Sequence, residues 1–202
     1  MAKTNRLERM QALRAFDATY DGIVAGMDEV GRGPLAGDVV TACVVMPRDS
    51  EILWVDDSKK LSETRREQVY EEIIAQALYV GIGRCSPAEI DEYNILEATR
   101  RAMRQAAEGI PADVFLLDAV TGLGLKGQEV SIIKGDASSY AIAAASIVAK
   151  VTRDREMRQL DELYPQYGFA RNKGYGTAEH IAALREYGPC PIHRRSFIGH
   201  FI

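Results

Sequence analysis

Two adjacent carboxylates, Asp28 and Glu29, close a short apolar run in the stretch GIVAGMDEVGRGPLAG (22–37), and Gly31-Arg32-Gly33 follows at once. Acid at the end of a strand, then bare backbone and one guanidinium, suits a cation held beside a phosphate. Two further acids occupy comparable settings. Asp118 ends the apolar run DVFLLD, and Asp136 stands at the expected entry to a long helix, where the helix dipole favours negative charge. Carboxylates brought together repel and take up protons unless a cation lies among them. Carboxylate oxygens without His or Cys select hard divalent ions such as Mg²⁺ or Mn²⁺. Two such ions about 4 Å apart can drive phosphodiester cleavage. Side chains alternate along a strand, so Asp28 and Glu29 should point to opposite faces, and both serve one site only if the strand twists or bulges before Gly31. Taken alone, Asp136 reads as a helix cap.

The glycines invite a second reading. Gly122-x-Gly124-x-x-Gly127 matches a dinucleotide fingerprint literally, but that fingerprint needs a helix after it, and QEVSII reads as a strand. Two acids before Gly31 would repel a pyrophosphate. Gly31 and Gly33 instead let backbone approach a nucleic-acid strand closely, with a plain tight turn as the alternative.

The elements that must position these residues follow from periodicity. Residues 5–20 carry apolar residues at helical spacing. Gly22–Asp28 and the β-branched Asp38–Met46 read as paired strands, the second stopped by Pro47. Asp56–Lys60 is a polar loop, and a helix runs from Ser62 to about Ala77. Leu78–Gly83 is a third strand. Ser86-Pro87-Ala88-Glu89 opens a helix with a Ser cap, Pro at the first position and Glu three residues on. Another helix covers Ile95–Glu108. Asp113–Asp118 and Glu129–Ile133 are two more strands. Asp136 opens the longest helical pattern, Ala137 to Tyr164, Ala-rich where it can press on a sheet and charged where it emerges. Gly168–Thr177 is an irregular loop, Ala178–Tyr187 a last helix, and 188–202 a tail. This order predicts an α/β protein with a mixed five-stranded sheet flanked by helices, and a helical C-terminal extension from residue 166 packed on residues 1–165.

Bulk properties narrow the class. The chain has 202 residues with 47% apolar and 27% charged, an ordinary globular balance with room for one sizeable core. No stretch approaches the ~20 apolar residues of a membrane span, and the charged start MAKTNRLERMQALRAF reads as no secretory signal. Cys43, Cys85 and Cys190 are far apart, which predicts free thiols in a reducing cytoplasm and no zinc site. Net charge is −4, yet residues 147–202 hold 9 Lys and Arg against 6 Asp and Glu. A basic C-terminal quarter can meet phosphates while the acidic remainder holds metal.

The segments MDEVGRGPLAG, DDSKKLS, LLDAV, KGDASSYAIAAASIVAKVTRD, NKGYGT and HRRSF, in this order, resemble the bacterial ribonuclease HII family. The resemblance covers about Gly22 to Phe197. It implies a ribonuclease H-like fold and a metal-dependent endoribonuclease acting on RNA–DNA hybrids. It also implies nicking 5′ of ribonucleotides embedded in duplex DNA, leaving 3′-hydroxyl and 5′-phosphate ends, as in ribonucleotide excision repair. By the same resemblance Asp28, Glu29, Asp118 and Asp136 bind Mn²⁺ or Mg²⁺, and Gly31, Arg32 and Gly33 read the ribose 2′-hydroxyl, largely through backbone. Tyr175 stacks under the sugar at the RNA–DNA junction. The 2′-hydroxyl is what distinguishes RNA from DNA locally, so a backbone reader without side-chain bulk is physically coherent. Lys59, Lys60, Lys150, Arg153, Lys173, Arg194 and Arg195 are candidate phosphate contacts. His193 reads as a packing histidine, with a proton carrier as the alternative, and Ser146, Tyr164 and Tyr167 read as packing. The chain is expected to act as a cytoplasmic monomer with no membrane partner. A sibling nuclease of the same fold would ignore the 2′-hydroxyl, and a non-catalytic binder would need no metal.

Overall fold

A computed structural model describes residues 3–56, 58 and 61–202. The β-branched run Val39–Val45 (β2) is buried along its whole length, as a strand covered on both faces must be. Each of its four valines contributes about 1.5–3 kcal/mol by leaving water. Val24–Val30 (β1) and Tyr79–Cys85 (β3) pair with it antiparallel, while Val114–Asp118 (β4) joins β1 in parallel and Gln128–Ile132 (β5) joins β4. The sheet order is β3-β2-β1-β4-β5, the expected mixed five-stranded sheet.

Helices cover both faces. Glu63–Gln76 (α2) and Tyr140–Leu163 (α4), with Lys3–Asp17 (α1), bury Met10, Leu13, Val69, Ile73 and the alanines of α4 against Ala42 and Val44. Pro87–Ala107 (α3) covers the opposite face, where Met103 and Ala106 meet Met27, Cys43, Phe115 and Leu117. α3 starts with the expected Ser86–Glu89 capping box and breaks at Asn94, whose backbone is left-handed (φ 66°) and whose side chain caps Leu96 and Glu97. The two helices expected there are thus joined by a kink. The C-terminal segment adds Phe169–Asn172 (α5), Ala178–Tyr187 (α6) and Arg195–Ile198 (α7), and its apolar residues share a cluster with Leu35, Ala36 and Met157. Short helices therefore replace part of the expected irregular loop and tail. No described helix is long and apolar enough to cross a membrane. Cys43, Cys85 and Cys190 are buried free thiols.

Two boundaries moved in ways that matter for function. β1 runs on to Val30, so Asp28 and Glu29 lie within the strand rather than at its end. The long helix begins at Tyr140, because the Ser139 hydroxyl accepts from the Ile142 N–H and caps it, and Asp136 belongs to a separate 3-10 turn, Gly135–Ala137. α4 presses its first turn directly on β1. A Cβ built on Gly26 would lie 2.0 Å from the Ala141 carbonyl carbon, so only glycine permits this approach. Gly26→Ala is expected to lower stability by about 3 kcal/mol in urea unfolding, because neither backbone can retreat without opening the sheet; a loss below about 1 kcal/mol would show that the helix backs away freely.

Candidate metal centre and the loop beside it

Register places the first two acids. β1 and β4 pair in parallel up to Met27 opposite Leu117, so Asp28 and Asp118 come next on neighbouring strands, at the carboxyl end of β4. Asp28 shares a face with Gly26 and so points toward α4; Asp118 shares a face with Leu116, which packs on Ile142 of α4. The chain leaving β5 then turns back through Lys134, which is left-handed (φ 57°), into the Gly135–Ala137 turn. The Gly135 N–H donates to Asp118 Oδ1 at 2.8 Å, which brings Asp136 alongside. One carboxylate oxygen each from Asp28, Asp118 and Asp136 lies within 4.8 Å of the other two. Asp28 and Asp136 are buried and Asp118 is half-buried.

Glu29 stands apart from this trio among the described residues. Its side chain leaves β1 on the face opposite Asp28, as the regular register dictates, yet its charge still couples to both Asp28 and Asp118. Its Oε1 accepts from Arg32 Nη1 at 3.3 Å, and its Oε2 is buried without a hydrogen-bond partner. Burial raises the Glu29 pKa, and the Arg32 charge opposes that rise. Asp28 is pushed well above the usual carboxylate range, first by burial and then by the charge of Glu29, with Asp118 adding to it. Ser146 opposes the shift through a hydrogen bond to Asp28, and its hydroxyl meets that of Ser58 at 2.9 Å. Ser146 is thus a support for Asp28 rather than simple packing. A lone serine in AIAAAS gave no such signal. The donor set fits a hard divalent cation: all oxygens, anionic, crowded, with one buried carboxylate oxygen of Glu29 left to be satisfied.

The glycine loop is held from behind. Gly31 is left-handed (φ 91°), and a Cβ there would lie 2.4 Å from Arg153 Nε and 2.7 Å from the Asp38 carbonyl. Arg194 donates to the carbonyls of Gly31 (2.5 Å), Arg32 (3.0 Å) and Gly37 (3.0 Å). Arg153 donates to those of Asp38 (3.0 Å), Lys173 (2.9 Å) and Ala36 (3.0 Å). Both side chains are fully buried, so the expectation that they contact phosphates is corrected: they staple the loop and the segment before Tyr175 from inside. Burial, then the neighbouring Arg153, pushes Arg194 down to about 9. Gly33 faces the Tyr175 ring, whose nearest atom is 3.7 Å from where a Gly33 Cβ would stand, and Tyr175 is 45% exposed.

The remaining basic candidates divide. Lys150 pairs with Asp154 at 2.6 Å and Lys173 donates to the Ala170 carbonyl at 2.6 Å, so both ammonium groups already have protein partners. Arg32 and Arg195 are exposed. Lys59 and Lys60 lie outside the described residues. His193 is a buried packing histidine, and Tyr167 packs against both it and Phe169.

The model of the ribonuclease HII family matches residues 25–200. A ribonuclease HII of Lachnoclostridium phytofermentans is 53% identical over 205 residues, covering 96% of this chain and 81% of that protein. One of Shewanella loihica is 54% identical over 188 residues, covering 90% and 89%. Among solved structures, the PCNA:RNase HII complex from Archaeoglobus fulgidus aligns with a TM-score of 0.75 and 28% identity, over 86% of this chain and 94% of that one. Bst-RNase HIII in complex with Mn²⁺ shares the fold at a TM-score of 0.67 and 16% identity, over 93% and 67%. With the sheet, the acidic trio and the family match in agreement, this chain belongs to the ribonuclease HII family of metal-dependent ribonuclease H hydrolases.

Proposed function

We propose that this protein hydrolyses the RNA strand of RNA–DNA hybrids and nicks duplex DNA 5′ of embedded ribonucleotides, leaving 3′-hydroxyl and 5′-phosphate ends. The observation that carries the reading is the acidic trio of Asp28, Asp118 and Asp136 on the same strand-and-turn system that carries Gly31–Gly33, with Tyr175 against Gly33. Asp28, Asp118 and Asp136, together with Glu29, would hold Mn²⁺ or Mg²⁺. Such ions, when bound, supply Lewis acidity for activating water and for the departing 3′-oxygen.

The chain's own groups do the rest. Backbone groups of Gly31–Gly33, stripped of side chains and held by Arg194, hydrogen-bond the 2′-hydroxyl. The Tyr175 ring accepts a sugar lacking that hydroxyl on the next nucleotide. The exposed guanidiniums of Arg32 and Arg195 meet backbone phosphates. Ser146 fixes the orientation of Asp28. In this reading residues 1–165 form the catalytic unit, and the extension from residue 166 supplies Tyr175 and the clamp.

A DNA duplex with one ribonucleotide, incubated with Mg²⁺, Mn²⁺ or chelator, should be nicked 5′ of that ribonucleotide only when metal is present. Cutting an all-DNA duplex as readily would instead favour a sibling nuclease. Asp28→Asn should abolish cleavage while hybrid still binds, and normal turnover by that variant would remove Asp28 from the role. Tyr175→Ala should lose single-ribonucleotide cleavage more than cleavage of long hybrids; equal losses would remove Tyr175 from the junction.

Stability reports on the same site. The raised Asp28 pKa means that the native protein keeps a proton the unfolded chain has released. Without metal, native stability therefore falls as pH rises from the ordinary carboxylate range through the raised value. Mn²⁺ should raise the melting temperature, and more at pH 8 than at pH 5, where protons compete for the same oxygens. Asp28→Asn should stabilise the metal-free protein at neutral pH and blunt the response to Mn²⁺. An equal Mn²⁺ response in variant and wild type would show binding elsewhere.

A further inference from the structure

Behind Tyr175 lies a buried chain of hydrogen bonds that the proposed chemistry does not use. His180 Nδ1 lies 2.9 Å from the Tyr175 carbonyl oxygen. His180 Nε2 lies 2.9 Å from His193 Nε2. His193 Nδ1 lies 3.0 Å from the Cys190 N–H nitrogen and 3.1 Å from the Cys190 sulfur. Both rings are buried.

The acceptor at one end fixes every proton. A carbonyl only accepts, so His180 Nδ1 carries hydrogen and donates to Tyr175. His180 Nε2 is then bare and accepts, so His193 Nε2 carries the hydrogen between the two rings. His193 Nδ1 is left bare and accepts from the Cys190 N–H and thiol. With both rings neutral, every ring nitrogen is satisfied. Protonating either ring sets two N–H groups face to face, or aims one at the Cys190 N–H. The charge environment agrees. Burial and then His180 push His193 down to about 4, Arg195 adds to this, and burial lowers His180. The rings packed against the pair are Tyr167 and Phe169.

His193 is tied equally firmly to the glycine loop. It bridges Ala36 in antiparallel fashion, with Arg194 N–H donating to the Leu35 carbonyl (2.9 Å) and Gly37 N–H to the Ile192 carbonyl (2.9 Å). The next residue, Arg194, clamps Gly31 and Arg32. One dipeptide therefore reaches both elements, the backbone reader through Arg194 and the Tyr175 segment through the two histidines.

We propose that His180 and His193 are positioning residues for ribonucleotide selection: as a fixed neutral pair they set the Tyr175 ring at a defined distance from the Gly31–Gly33 backbone. The inference rests on the junction role proposed for Tyr175. The gap between a ring and a backbone donor decides whether one nucleotide step spans them, so loosening the pair should blur selection before it harms hydrolysis.

The unmodified protein gives the first test. Nitrogen-detected histidine NMR should show His180 as the Nδ1–H tautomer and His193 as the Nε2–H tautomer at pH 7, both rings neutral, with His193 gaining charge only as pH falls toward about 4. An imidazolium, or His193 protonated at Nδ1, at pH 7 would overturn the assignment. The second test compares kcat/KM on a single-ribonucleotide duplex and on a long hybrid. His180→Phe should lose roughly tenfold more on the former, about the worth of one hydrogen bond. His180→Asn, whose amide can stand where Nδ1 stood, should recover most of that selectivity. Tyr175→Ala is measured alongside. A selective loss in Tyr175→Ala with equal losses in His180→Phe or no recovery in His180→Asn would sink the positioning role alone. Equal losses in Tyr175→Ala would sink the junction reading and this inference with it. Should His180→Phe fail to fold, the tautomers and His180→Asn still decide: Asn retaining wild-type selectivity supports the positioning role, and Asn losing both substrates equally ends it.

Discussion

Like charges crowded in a dry place must be forced together, and in this molecule the force is the parallel pairing of β1 with β4. That ladder ends at Met27 and Leu117, so the next residue on each strand is an aspartate with nowhere to go but beside the other. The Gly135 N–H, bonded to Asp118, then draws in the third. Backbone hydrogen bonds and sheet burial, far larger in sum than any single repulsion, hold a constellation that the carboxylates alone would scatter. The unpartnered oxygen of Glu29 and the raised Asp28 are the residual strain of that arrangement, and a divalent cation is the species that relieves it.

The second constraint is the pair of buried guanidiniums. Arg153 and Arg194 sit in the interior and spend their donors on backbone carbonyls. An interior charge is costly to desolvate, and removing its partners is costlier still, so such a clamp specifies one geometry of the loop. Close approach does similar work on the other side, where Gly26 lets α4 lie on β1 and carry Ser146 to Asp28.

Much of this was legible in the residues. Short apolar runs, one of them rich in β-branched residues, marked all five strands, and Ser86-Pro87-Ala88-Glu89 marked a helix start that the capping box reproduces. The alternation of Asp28 and Glu29 was also readable: the regular β1 register directs them to opposite faces, and the Glu29 oxygens are not among those within 4.8 Å of one another. Three things were not. Asp136 and Ser139 are both good capping residues, so sequence alone puts the helix start at the first, while the structure puts Asp136 in a separate turn after left-handed Lys134 and caps the helix with Ser139. Arg153 and Arg194 look like phosphate contacts in any basic segment; that they point inward depends on carbonyls more than a hundred residues away. The histidine pair needs two rings from different elements to meet, which no local pattern announces.

Arg194 lies 163 residues beyond the Gly31 carbonyl it holds. During synthesis the acidic trio is therefore made before the clamp that holds the loop beside it: Asp136 precedes Arg194 in the chain. The loop from Gly31 to Gly37 takes its final support from the last residues to be translated, so its geometry is completed only when that segment docks.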